Sequence, residues 1–116
     1  MINFYKYDII VVKFPFASSL KYKARPAVVI SNSFYNTNSR DTIIILAISS
    51  KIDSKLSFEI VIQDWQETGL LKPSVFKSSI ATIEKDFIIR KLGSLSIDDS
   101  KNLESLLNKI LKEQKC

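Results

Sequence analysis

Among its 116 residues the chain has no histidine, one cysteine and two glycines. Without histidine there can be no His-based catalytic triad and no paired-His nuclease site, and one cysteine cannot supply the common zinc sites. That cysteine, Cys116, is the last residue. It cannot close an intrachain disulfide, it suits a reducing compartment, and a solvated terminal thiol lacks the structured electropositive setting that activates cysteine. Glycine occurs only at positions 69 and 93, so no glycine-rich loop is available to cradle phosphates. No apolar run approaches the length needed to cross a bilayer. Lys6 and Asp8 precede a very short apolar run, and Lys13 and Pro15 soon follow it, a pattern unlike a secretory signal. The expectation is a cytoplasmic protein without membrane contact. An enzyme made from this set works with Arg, Lys, Ser, Thr, Tyr and carboxylates, and the expectation is that it uses no cofactor and no protein-bound metal.

Lys and Arg exceed Asp and Glu by 17 to 12, a balance that suits a polyanionic partner and also serves solubility. The length fits one domain, residues 1–116, whose core a partner subunit would help to complete. Ile9 to Phe14, Ala27 to Ile30 and Thr42 to Ile48 are short Ile/Val-rich runs, and Phe58 to Ile62 adds a partly alternating one; their length and β-branching predict strands. Pro15, the polar stretch Ser31 to Asp41 and the stretch Ser49 to Ser57 separate them. Strands at close intervals without intervening helical periods predict a compact antiparallel sheet or small barrel. Near the end, Ser96 stands before Ile97-Asp-Asp99 as an N-cap with acidic residues in the first turn. Leu103, Leu106, Leu107, Ile110 and Leu111 then recur at helical spacing, a stripe that packs on a core or a second subunit. Asp64 to Leu71 predicts a short helix ending near Gly69, with Trp65 as a packing residue.

Cleavage of RNA by its own 2′-hydroxyl fits this restricted set, because the substrate brings the nucleophile and the protein need only position the phosphate, stabilise charge and move protons. Arg25 precedes Pro26, which biases it towards extended backbone at the mouth of a strand. Its planar fork can donate two hydrogen bonds to a phosphate; taken alone, it is also an ordinary surface arginine beside a strand. Ser49 and Ser50 end the Thr42 strand, where hydroxyls can meet a phosphate or simply begin a turn. Lys21, Tyr22 and Lys23 set cations around an aromatic ring next to Arg25, which fits single-stranded RNA and equally a solvated loop.

Four ordered segments carry a resemblance: Asp8-Ile-Ile-Val-Val-Lys-Phe-Pro-Phe16, Arg25-Pro-Ala-Val-Val-Ile-Ser31, Ala47-Ile-Ser-Ser50 and Gly69-Leu-Leu-Lys-Pro-Ser-Val75. Read together, they resemble the MazF/PemK family of toxin endoribonucleases. Ile80 to Lys85 and Ile88 to Leu95 look like that family's last strands, so the likeness runs from about Tyr7 to the end. It implies a mainly β fold, an SH3-like β-barrel of the MazF/PemK/CcdB type with outer helices, and a sequence-specific, metal-independent ribonuclease leaving a 2′,3′-cyclic phosphate and a 5′-hydroxyl. It also implies a homodimer and an antitoxin whose acidic, partly disordered segment occupies the basic groove. By the same likeness Arg25 and Ser49 fall at catalytic positions and Ser50 lies beside them; loop residues would choose the bases.

The sequence departs from the pattern in three places. Where many members carry Arg-x-Asp after Pro-Ser-Val, this chain has Lys77 and no carboxylate, so Lys77 takes the cationic position and the general base is left open between none and a carboxylate such as Glu59 or Asp53. Where members tend to have Gly before the first Asp, it has Tyr7, and where they tend to have a Gly-containing loop before Arg-Pro, it has Ala17-Ser-Ser-Leu-Lys-Tyr-Lys-Ala24. Two other readings use the same fold: a CcdB-like toxin that binds gyrase without being an enzyme, and an inactive RNA-binding module.

Overall fold

The computed structural model describes residues 3–14, 23–53 and 57–113. Six strands form one antiparallel sheet: β1 (Asp8–Phe14), β2 (Lys23–Val29), β3 (Thr42–Ser49), β4 (Ile60–Val61), β5 (Val75–Glu84) and β6 (Ile88–Ser94), in the spatial order β4-β5-β3-β2-β1-β6. Two helices, α1 (Ser33–Asn38) and α2 (Ile97–Leu111), and short 3₁₀ turns at Trp65–Thr68 and Lys85–Phe87 complete it. The fold is mainly β and barrel-like, open between β4 and β6.

The unbroken Ile/Val character of β1 to β3 follows from burial on both faces. On one face Ile9, Val28, Leu46, Ile48 and Phe76 pack with Leu103, Leu106 and Leu107 of α2. On the other, Ile10, Val12, Ala27, Val29, Ile43 and Ile45 form a second cluster, with Phe4, Phe87 and Ile88 against it. Helix α2 starts as its sequence predicts, with the Ser96 hydroxyl accepting from the Asp99 amide. Its stripe is largely consumed within the subunit: Leu103, Leu106 and Leu107 are buried and Ile110 packs against them, whereas Leu111 is 72% exposed. Each buried leucine contributes roughly 1.5–3 kcal/mol, which is what seats the helix on the sheet. Among the described residues no helix is long and apolar enough to cross a membrane.

Three elements differ from the sequence reading. The polar stretch after β2 contains α1, because the Asn32 side chain caps the Tyr35 amide and buried Asn36 bonds to the Ser31 side chain and to the Phe4 and Ser31 carbonyls. The helix expected over Asp64 to Leu71 is a single 3₁₀ turn, ended by Gly69 in the left-handed conformation at φ 85°. Val75, which closes Pro-Ser-Val, and Ile80 to Glu84 belong to one ten-residue strand, β5, and Lys85 opens the 3₁₀ turn that follows it.

Tyr7 occupies left-handed backbone at φ 79°, a conformation that costs a non-glycine residue about 1–3 kcal/mol. The surroundings offset that cost. Its amide donates to the Val29 carbonyl, its carbonyl accepts from Leu95, and its hydroxyl donates to Glu104 of α2 at 2.6 Å. Lys6 pairs with the same carboxylate and lies 5.1 Å from the Tyr7 ring. Hydrogen bonds from Lys6 and then Tyr7 hold the Glu104 carboxyl below its ordinary 4.5, against the opposing effect of burial.

A carboxylate whose folded pKa is depressed adds stability that is present above its unfolded pKa and is lost as pH falls through the folded value. Wild type should therefore melt above Glu104→Gln near neutral pH, and the gap should close as pH drops below about 4.5. Thermal melts of both proteins across that window check this. A second expectation concerns packing. A Cβ on Gly93 would stand 2.7 Å from the Thr68 carbonyl oxygen, so Gly93→Ala should destabilise by about 1–3 kcal/mol, read by denaturant unfolding.

Candidate active site

The β2–β3 ladder pairs Val29 with Ile45, Val28 with Leu46 and Ala27 with Ala47. The ladder ends there, and Arg25 of β2 and Ser49 of β3 each lie two residues beyond that last pair, so the strand entrance and the strand end come from adjacent strands. Both residues line two adjoining cavities. The larger, about 460 Å³, has an apolar floor that includes Val11, Ile48, Leu70 and Leu92, with Ser50, Lys72 and Arg90 around it. The smaller, about 230 Å³, is lined by Lys51, Lys77 and Ser79 in addition.

Ser49 serves the turn and the cavity together. Its Oγ accepts the Lys51 amide at 3.1 Å, the local bond by which serine begins turns. Because that bond uses an oxygen lone pair, the hydroxyl proton stays available to donate into the cavities. Lys77 reaches the site through an irregularity in the ladder. Leu46 pairs with Ile80 but Ile48 pairs with Phe76, so the three residues Lys77 to Ser79 face Ala47 alone. Such a bulge re-aims side chains, and here Lys77 and Ser79 line the cavity that Arg25 and Ser49 share.

Of the residues singled out in the sequence, the fold brings Arg25, Ser49, Ser50 and Lys77 together at these cavities. Lys23 begins β2, is exposed, and lines neither. Lys21, Tyr22 and Cys116 lie outside the described residues. Among the described residues no carboxylate lines either cavity. Glu59 precedes β4 at the register position opposite Lys77, and its Oε1 is buried without a hydrogen-bond partner among the described residues. Asp53 lines neither cavity. Sequence reasoning missed Lys51, Lys72 and Arg90. Lys51 directly follows the two serines and Lys72 lies within Gly69-Leu-Leu-Lys-Pro-Ser-Val75, so the motifs held a signal for both; for Arg90, only strand register could reveal the position.

The wall carrying Leu70 and Lys72 is set by backbone contacts. Gly69 and Gly93 each lack a Cβ where one would meet the other segment's carbonyl oxygen, Leu92 and Thr68 respectively, at 2.7 Å. The turn is braced internally, since the Thr68 hydroxyl donates to the Trp65 carbonyl and accepts the Leu70 amide, and Ser74 Oγ donates to the Lys72 carbonyl. From below, the fully buried Asp99 accepts the Gln63 and Asp64 amides at 2.8 Å each, and Ser96 Oγ is 3.3 Å from the same carboxylate. Helix α2 thereby holds the segment that enters the cavity wall.

A family model described as PemK-like, MazF-like toxin of type II toxin-antitoxin system matches residues 5–111. No match was found among curated proteins. Solved structures share the fold at low identity. MazF from Deinococcus radiodurans superposes with a TM-score of 0.76 at 16% identity, covering 97% of this chain and 100% of its own. The Mycobacterium tuberculosis toxin MazF-mt6 gives 0.73 at 18%, with 93% and 99% covered. A mycobacterial endoribonuclease in complex with its cognate antitoxin gives 0.73 at 16%, covering all of both chains.

Asp99 generates a prediction of its own. Asp99→Ala leaves two loop amides without their acceptor, so it should cost about 2 kcal/mol or more. Amide hydrogen exchange should rise first at Gln63 and Asp64; unchanged exchange there would mean that α2 does not hold the loop.

Proposed function

The chain belongs to the PemK-like, MazF-like toxin family of type II toxin-antitoxin systems, and from that membership and the paired cavities we propose that it is an endoribonuclease cleaving single-stranded RNA. One observation carries the reading. Arg25 and Ser49 sit where two cavities meet, and cationic side chains line both. A strand of RNA crossing from one cavity to the other places a phosphate at that junction.

In this mechanism the 2′ oxygen bonds to phosphorus and the bond to the 5′ oxygen breaks, leaving a 2′,3′-cyclic phosphate and a 5′-hydroxyl. Arg25 donates to the non-bridging oxygens with a charge that persists at any working pH. Ser49 donates its hydroxyl proton to the same phosphate, while Lys51, Lys77 and Ser50 bind the adjoining backbone. With no carboxylate lining the cavities among the described residues, the proton leaving the 2′-hydroxyl passes to water or to a phosphate oxygen, and the departing 5′ oxygen takes up a proton from the same source. The reaction requires no metal. The protein works in the cytoplasm as a homodimer, and an antitoxin with an acidic segment blocks the cationic cavities. Because α2 buries its central leucines in its own subunit, the dimer contact uses another surface.

Purified protein should cleave a long RNA in the presence of EDTA, leaving cyclic phosphates. Ends bearing 5′-phosphate, or activity lost in EDTA and restored by magnesium, would overturn the mechanism, and binding without cleavage would identify an RNA-binding module. Arg25→Lys keeps the charge but loses the planar fork, so cleavage should fall at least about tenfold, equivalent to ~1.4 kcal/mol of barrier, with the melting temperature unchanged.

A further inference from the structure

We propose that Arg90 of β6 binds the phosphate next to the scissile one, so that the larger cavity holds one whole nucleotide, base inward and outer phosphate at Arg90. This rests on the RNA-cleavage reading and deepens it. Val11 of β1 pairs with Pro26 on one side and with Arg90 on the other, while Val12 pairs with Arg25. The two arginines therefore flank β1, with backbones on the order of 10 Å apart at two strand spacings, and both line the larger cavity.

The lining divides by chemistry. Val11, Ile48, Leu70 and Leu92 give an apolar surface between the two arginines, suited to the face of a base, whereas guanidinium groups suit phosphate oxygens. Four cations away from the cavities are already engaged: Lys6 with Glu104, Lys91 with Asp8 at 3.0 Å, and Lys85 and Lys109 with backbone carbonyls. Arg90 is exposed and, among the described residues, has no hydrogen-bond or ion-pair partner. Its neighbour Lys91 has no such freedom, because its ammonium pairs with the Asp8 carboxylate. Arg90 is thus a binding residue for the nucleotide beside the cut, separate from the pair at the scissile phosphate.

The test uses the full chain and an RNA oligonucleotide spanning its mapped cleavage site, with 2′-deoxy at the cleaved nucleotide so that affinity is read without turnover. Arg90→Ala should weaken binding about tenfold and lower the slope of log affinity against log salt by about 0.7, the value for one phosphate contact on a single strand. Arg90→Lys should recover part of the affinity. One methylphosphonate adjacent to the scissile position should weaken wild type yet cost Arg90→Ala nothing further. Unchanged affinity and slope in Arg90→Ala, or methylphosphonates that cost the variant as much as wild type, would overturn the assignment while wild-type cleavage leaves the enzyme reading standing. A wild-type chain that cleaves no RNA overturns that reading first, and Arg90 with it.

Discussion

The site depends on one close approach of backbone to backbone. The Thr68–Gly69 turn lies against Leu92 and Gly93 of β6 so tightly that a methyl group at either glycine would stand 2.7 Å from the opposing carbonyl oxygen. The chain's only two glycines are both used there. This contact fixes where Leu70 and Lys72 stand relative to Val11, Leu92 and Arg90, so the volume and shape of the larger cavity follow from it. Interiors are too closely packed to absorb even one extra methyl group without displacement. A shift of this turn therefore moves the cavity wall as a unit.

Three devices converge on that wall from different parts of the sequence. Asp99 in the first turn of α2 anchors the approach to the turn through two amides. Helix α2 itself is seated by leucines buried against the sheet. Tyr7, in strained backbone, ties the start of β1 to the middle of α2 through Glu104. The helix consequently acts as the scaffold of the site although none of its residues lines the cavities.

The cations follow a division of labour set by their neighbours. Lys6 and Lys91 are bound to carboxylates and stabilise the fold. Those at the cavities face no carboxylate among the described lining residues that could compete with an anionic ligand for them. The absence of an Arg-x-Asp pair after Pro-Ser-Val thus has a physical counterpart: among the described residues the cavities carry positive charge without an internal counter-ion, which favours binding a polyanion.

Much of the fold was legible in local pattern. Ile/Val runs bounded by polar breakers read as strands because strands buried on both faces need nothing else. Ser96, the acidic first turn and the leucine spacing specified α2 because capping and amphipathicity are properties of a few adjacent residues. Arg25-Pro26 and Ser49-Ser50 were visible for the same reason. Helix α1 was hidden because its stability comes from buried Asn36 reaching Phe4, a contact distant in sequence. Lys77's direction depends on a ladder irregularity opposite Ala47, and Arg90's place at the cavity depends on pairing with Val11. The sequence alone determined which segments are strands and helix and which side chains can carry charge; register, bulge and the glycine-to-carbonyl approach, which arise only when distant strands meet, decided which of those charges share a cavity.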